Sequence, residues 1–307
     1  RAGSGGGGGG GGNSALLELI ADLLERVPEK FDMITMNEKA EPVFKGIGTP
    51  AGASAPYVTV ALQECGRMNI LLEAMAKSLD ELTKGLNGQL NMSMPMEDLK
   101  IALLINQVPG RNPFSTASWE KLAWPSMKSL DTWYIDMIVR CDALRVWQET
   151  LKTPFSLWMP GLFNPTAFLT AIKQVTARSK KLALDKMGVE THITTMTEAS
   201  EATGAPADGA LVHGLFIEGA RWGEIEDDRH AGEESGTPYA GILSESKPKE
   251  LLPPMPLIYI KAVIVQDNWI PSPVGYLRPE KTLYNCPVYL TTFRGPTYVF
   301  SATLKTI

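Results

Sequence analysis

Residues 57–85 read YVTVALQECGRMNILLEAMAKSLDELTKG. The apolar side chains Val58, Ala61, Leu62, Cys65, Met68, Leu72, Met75, Leu79 and Leu82 fall at steps of three and four, which predicts one amphipathic helix over the whole stretch. At about 1.5 Å per residue that helix extends roughly 40 Å, so its apolar stripe requires partner helices along its length.

The flanks supply such partners. Upstream, Asn13 or Ser14 is placed to cap a short helix through Leu16, Leu17, Ile20, Leu23, Leu24 and Val27 that ends at Pro28. Between the two, residues 37–56 collect Gly46, Gly48, Pro50, Gly52 and Pro56 and read as loop. Downstream, Met94-Pro95-Met96 opens a helix with Leu99, Leu103 and Leu104 facing inward, and another runs from about Lys128 to Leu151 through Leu130, Trp133, Ile135, Ile138, Leu144 and Trp147. Asn164-Pro165, an N-cap followed by the residue best tolerated at the first helical position, starts a further helix to about Ser179. Trp119, Trp124, Trp133, Trp147 and Trp158 recur through this part as core and inter-helix packing, or as a docking surface.

Beyond about Met187 the apolar residues shorten into runs rich in Val, Ile, Tyr and Thr: Val189 to Thr195, Leu211 to Ile217, Leu257 to Val265, Tyr284 to Thr291 and Thr297 to Leu304. These are strand signals, with Pro253 to Pro256 and Ile270 to Pro279 as loops. The expected fold class is α+β, an N-terminal helical bundle followed by a small antiparallel β-barrel.

Composition narrows the function. The 307 residues carry 29 basic and 34 acidic side chains, a net charge of -5, and are 44% hydrophobic and 21% charged, which excludes wholesale disorder. No apolar run reaches the roughly 18 residues of a membrane span, so a soluble chain is expected, with no membrane partner. The tract Gly3 to Gly12, broken only by Ser4, reads as a flexible joint to something upstream. Ten carboxylates between Met196 and Gly236 meet only Arg221 and Arg229, leaving a weakly basic body that lacks the concentrated basic surface of a nucleic-acid binder. That acidic window lacks the alternating ligand positions of a calcium loop and reads as solvated.

Reactive groupings are not apparent. Gly46-Ile47-Gly48-Thr49-Pro50-Ala51-Gly52 fails as a nucleotide fingerprint because its third glycine is out of register and Pro50 interrupts the helix start. There is no phosphate-binding loop and no Gly-x-Ser-x-Gly elbow. His192, His213 and His230 stand without ligand-spaced partners, and Cys65, Cys141 and Cys286 are too far apart for a local metal or disulfide pattern, so they read as reduced thiols.

Several strings occur together and in order: VALQECGRMN at 60–69, SLDELTKGL at 78–86, WPSMKSLDTWYIDMIVR at 124–140, LWMPGLFNPTAFLTAIKQVTAR at 157–178, LDKM at 184–187, VHGLFIEGARW at 212–222, PMPLIYIKAV at 254–263 and YNCPVYLTTFRGPTYV at 284–299. In these the chain resembles the C-terminal region of dynein heavy chains, most closely the axonemal outer-arm type. The resemblance implies a Gly-rich linker and the end of the last AAA+ small subdomain over 1–56, the helical part of the C-terminal domain over 57–187 and its β-barrel part over 188–307. It implies a non-catalytic structural and regulatory module packed on the heavy chain's own AAA+ ring, with no cofactor of its own because ATP binds in the upstream ring. It further implies a microtubule partner reached through the full-length motor, other dynein subunits as further partners, and a place in the cytoplasm, cytoskeleton and the axoneme of a cilium or flagellum. Arg221 and Trp222 of the EGARW turn, with Arg294 before Gly295-Pro296, are the residues expected to fix the barrel; no catalytic, cofactor-binding or metal residue is expected. Gly66 and Gly223 depart from the acidic residues that relatives carry, and the chain stops at Ile307, before the family's closing apolar strand. An alternative reading is an adaptor that holds axonemal partners through the acidic loop at 224–234 or the loop at 266–282.

Overall fold

The computed structural model describes residues 10–217, 220–223, 239–242, 255–266, 270–272, 275–277, 283–292 and 295–305; for 10–12, 220–223, 239–242, 270–272, 275–277, 283–286 and 302–305 the description covers the backbone alone. Its helices are α1 (Gly10–Arg26), α2 (Met33–Lys45), α3 (Ala55–Leu86), α4 (Met94–Leu104), α5 (Trp119–Leu122), α6 (Leu130–Thr150) and α7 (Pro165–Lys180). Its strands are β1 (Ser156–Trp158), β2 (Met187–Ile193), β3 (Ala210–His213), β4 (Phe216–Ile217), β5 (Ala220–Gly223), β6 (Tyr239–Ile242), β7 (Ile258–Ile264), β8 (Ile270–Ser272), β9 (Gly275–Leu277), β10 (Leu283–Tyr289) and β11 (Tyr298–Lys305).

Two compact units divide the chain. The first holds the described residues up to Asp32 together with Cys65–Asp142. Here the periodic apolar residues of α3 are buried as expected, Cys65, Met68, Leu72, Met75, Leu79 and Leu82 all at 1% exposure or less. Leu16, Ile20 and Leu23 of α1 join the same interior, and the helix begins at Gly10, three residues before the expected cap. Asn69 clamps the chain that follows α1: its Oδ1 accepts the Phe31 backbone N–H at 2.7 Å and its Nδ2 donates to the Phe31 carbonyl at 2.8 Å. Trp119 and Trp124 flank Trp133, with ring centroids 6.2 Å and 5.2 Å away, so these tryptophans form the core of the unit. The buried guanidinium of Arg140 lies 4.0 Å from the Trp124 ring centroid, and its Nε donates to Asp136 at 3.2 Å.

The second unit holds Met33–Glu64 and the described residues from Ala143 onward. Residues 37–45, expected as loop, belong to α2, whose inner side buries Met36 and Ala40 one turn apart. Pro42 is tolerated inside it because the Glu38 carbonyl left without an i+4 N–H partner lies on an exposed residue, within reach of water. From Gly46 to Ser54 the chain runs as turns and a short 3-10 segment, in agreement with the glycines and prolines there.

Six strands, β2, β3, β4, β7, β10 and β11, fall in or beside the five expected runs, while β1, β5, β6, β8 and β9 lie outside them, and the expected antiparallel barrel is not what they build. Among the described strands the sheets stay open: one of four strands in the order β1-β3-β7-β2, one of three in the order β11-β10-β4, and the hairpins β5-β6 and β8-β9. The run Leu211 to Ile217 is the reason. It breaks at Gly214, so β3 pairs with β7 while β4, immediately after the break, pairs with β10 in the other sheet. The β1-β3 pair is moreover parallel, and the stretch expected as loop at 270–279 contains the β8-β9 hairpin. In the four-stranded sheet β2 and β7 pair over seven residues, from Met187 opposite Ile264 to Ile193 opposite Ile258, and α7 packs on both.

Candidate functional site

Within the second unit the strings quoted above converge. Glu64, on the apolar side of α3 at 2% exposure, accepts the backbone N–H of Phe163 through Oε2 at 2.6 Å and that of Asn164 through Oε1 at 2.9 Å. Charge-assisted bonds of this kind are strong, and they hold the turn that launches α7. Asn164 then caps the helix as its sequence predicts, Oδ1 accepting from the Ala167 N–H at 3.1 Å, with Pro165 in the first turn. One turn inside α7, Phe168 is fully buried, its ring centroid 5.6 Å from Tyr57 and 6.1 Å from Trp147 in an edge contact.

At the other end of α7, Asp208 ties that helix to β7 through three side chains. Its carboxylate accepts from the Thr176 hydroxyl at 2.8 Å and from the Lys180 ammonium at 2.7 Å, and its backbone carbonyl accepts from the Tyr259 hydroxyl of β7 at 2.7 Å. Burial pushes the Asp208 carboxyl up, but the bonds from Lys180 and Thr176 outweigh it and hold the group below its ordinary range. Burial raises the Tyr57 phenol, and Asp208 and Tyr259 nearby add to the shift, so it stays neutral.

Trp158 explains two glycines. A Cβ at Gly161 would lie 2.6 Å from its ring and one at Gly214 would lie 2.5 Å from it, and Gly214 also has a φ of +82° that other residues adopt at a cost. The indole is therefore wedged between the LWMPGLF and VHGLF strings, beside the β1-β3 pairing that sets Trp158 opposite His213. In the same pairing Ser156 Oγ lies 2.7 Å from His213 Nδ1. Burial lowers the His213 pKa and favours the neutral imidazole. Among the described residues no carboxylate hydrogen-bonds that ring, so the pair has the contact of a hydrolytic dyad without its orienting acid. A cleft of about 420 Å³ opens between the end of α2, the first turns of α3 and α7, lined by Phe44, Ile47, Val60, Gln63, Gln174 and Arg178 among others.

Of the residues expected to fix the barrel, Arg221 stands opposite Gly241 and Trp222 opposite Ala240 in the β5-β6 ladder, with their side chains outside the description; Arg294 and the acidic loop at 224–234 lie outside the described residues. His192 stacks on Tyr259 and lies 3.5 Å from Glu190, whereas His230 is outside the described residues. Cys65 and Cys141 are buried and outside any disulfide. Among the described residues no group of three or more His, Cys, Asp and Glu gathers in a way that could hold a metal ion. The sequence reading missed Glu64, Trp158 and Asp208 as joints. The available signals were a carboxylate on an apolar helical face, and glycines flanked by large apolar residues.

The whole sequence, residues 1–307, matches the family described as the C-terminal domain of the dynein heavy chain. It is 38% identical over 288 residues to dynein axonemal heavy chain 17 of Homo sapiens, a match covering 94% of this chain and 6% of that protein. Against the flagellar outer-arm chains of Chlamydomonas reinhardtii it is 39% identical over 287 residues to the beta chain and over 299 residues to the alpha chain, with 94% and 95% of this chain covered. The matched stretch is 5% of the beta chain and 6% of the alpha chain, so this chain spans a small fraction of the length of its relatives. With the strings that join Glu64 to Asn164 and Trp158 to Gly214 running through a match of this extent, the protein belongs to the family of C-terminal domains of dynein heavy chains.

Proposed function

We propose that this chain is a non-catalytic structural and regulatory module of an axonemal dynein heavy chain, which packs on the AAA+ ring of an ATP-driven microtubule motor and modulates its coupling. On this reading residues 1–56 close the last AAA+ small subdomain, 57–187 and 188–307 form the helical and strand-rich parts of the C-terminal domain, and the protein works in the axoneme of a cilium or flagellum. One observation carries it. Where the strings quoted above can be followed, their polar residues make packing joints: Glu64 to the start of α7, and Thr176 and Tyr259 to Asp208 between them. Such joints make a stiff body. A stiff body that touches several ring modules shifts their populations by the difference in its contact free energy between arrangements.

Deleting residues 57–307 from the full-length heavy chain tests this. The expected result is a folded motor with altered run length, force and microtubule-stimulated ATP turnover; unchanged values of all three in a folded motor would remove the regulatory role.

A further inference from the structure

Three of the thirteen methionines fall within five residues, Met92-Ser93-Met94-Pro95-Met96, where the chain of the first unit passes from α3 into α4. Met96 is buried on the inner side of α4 with Leu99 and Leu103, whereas Leu104, expected to face inward with them, is 61% exposed. Packing accounts for Met96. It does not account for Met94, the first residue of the helix, which is 70% exposed.

The sulfurs converge on one glycine. Gly85 is buried in the last turn of α3, and the place that a Cβ would take there lies 2.7 Å from Met92 Sδ and 3.4 Å from Met96 Sδ. Two thioethers therefore close on the same point of the α3 backbone, which only a residue without a side chain leaves open to them. Met96 Sδ also accepts the Ser93 backbone N–H at 3.4 Å, which sets it against the turn that carries the other two methionines. Ser93 itself is extended, with φ −101° and ψ 164°, the conformation in which residues two apart share a side, so Met94 stands on the side of Met92. Its unbranched side chain has three rotatable bonds with which to swing inward. The three thioethers thus run from a buried floor at Met96, through the half-buried Met92, to an open mouth at Met94, which supplies the entry path that a metal site needs.

We propose that Met92, Met94 and Met96 bind a soft monovalent cation of the Cu(I) class, which ties the last turn of α3 to the first turn of α4. The donor set selects the ion. Polarisable thioether sulfur favours Cu(I) and its like, while calcium, magnesium and manganese call for the oxygen ligands that this cluster does not offer. Three neutral ligands also leave the charge of the ion uncompensated, which suits a monovalent ion better than a divalent one. The positive end of α4 opposes any cation, and Glu97 in the first turn offsets it.

The test uses the full-length heavy chain with its accessible thiols alkylated, hydrogen peroxide as the methionine oxidant, and Ag(I) as the probe, because it shares the charge and softness of Cu(I) without its redox chemistry. Trypsin releases residues 85–100 as one peptide with all three methionines, and residues 122–128 with Met127, which is 67% exposed and serves as the reference. Ag(I) is expected to slow sulfoxide formation at Met92 and Met94 about tenfold or more while leaving Met127 unchanged. Met92→Leu conserves volume and should release Met94 from that protection. Absence of slowing, or equal slowing at Met127, would overturn the site, the second by showing that Ag(I) meets any exposed thioether. Protection of Met94 that survives Met92→Leu would overturn it as well, because the sulfurs would then act singly. Zn(II) in place of Ag(I) should protect neither residue, and protection by Zn(II) would assign the binding to carboxylates such as Glu97. The comparison of Met92 and Met94 with Met127 needs no variant, so a misfolded variant does not shelter the proposal.

Discussion

Glu64 and Asn164 stand a hundred residues apart in the chain, and the carboxylate of the first accepts the backbone N–H of the second at 2.9 Å. The same carboxylate takes the N–H of Phe163. One side chain of α3 thus satisfies two amides at the turn into α7, where Phe168 enters the core one turn later.

Glu64→Gln replaces one acceptor oxygen by a donor and sets an amide N–H against an NH₂. The expected loss is about 1–3 kcal/mol of unfolding free energy, because a buried donor is left unmade. Glu64→Ala leaves both amides unmet and is expected to cost more. Chemical denaturation of the purified chain gives the order. Amide exchange at Phe163 and Asn164 should accelerate in both variants before any change elsewhere; unchanged exchange would show that the joint does not hold the turn.

Trp158 and Gly214 are coupled by contact. Gly214→Ala puts a methyl group 2.5 Å from the indole and forces a side chain to a φ of +82°, whereas Gly161→Ala has the contact at 2.6 Å without that φ. Both are expected to destabilise by about 1–3 kcal/mol, with Gly214→Ala the larger. Trp158→Ala removes the steric part, so the double variant Gly214→Ala with Trp158→Ala should fall short of the sum of the single costs. Strict additivity would rule out the wedge.

How far these joints could be read beforehand follows from the range of each signal. The α3 and α7 boundaries were legible to within two residues, because periodicity and the Asn164-Pro165 cap are local. The β1 strand was not: it is three residues long, and only its parallel pairing with β3, far along the sequence, makes it a strand. The same limit explains the expected barrel. The runs of Val, Ile and Tyr identify strands, but a sheet closes or stays open according to which edges pair, and here one positive-φ glycine sends β3 and β4 to different sheets. Glu64 looked like one more charge on a long helix until Phe163 and Asn164 were placed against it.

Arg140 cannot be replaced by Lys without loss. Its plane lies over Trp124 at 4.0 Å and its Nε reaches Asp136, two contacts that a lysine point charge does not reproduce together. Arg140→Lys is expected to cost about 1–2 kcal/mol, mostly from the lost stacking. Arg140→Ala should cost about 3 kcal/mol or more by stripping the partly buried Asp136 carboxylate of its partner, although Lys128 at 3.1 Å from Asp136 offsets part of it. Tryptophan fluorescence should report the change directly, since Trp124 stacks on Trp133.

Stability should also carry a histidine signature of definite sign. Burial holds the His213 pKa below its ordinary 6.5, so in the interval between the two values the unfolded protein binds the proton that the folded protein refuses. Unfolding free energy therefore rises with pH through that interval, is complete above about 6.5, and declines as pH falls below it. His213→Gln keeps a polar side chain beside Ser156 and removes the titration. Its stability plotted against pH should be flatter than that of the parent in the interval just below the ordinary histidine value, while the acid loss that belongs to carboxylates such as Asp208 should remain. Parallel curves for the two proteins across the interval would mean that the imidazole is as easily protonated in the fold as outside it, and the burial of His213 beside Ser156 would then have no electrostatic consequence.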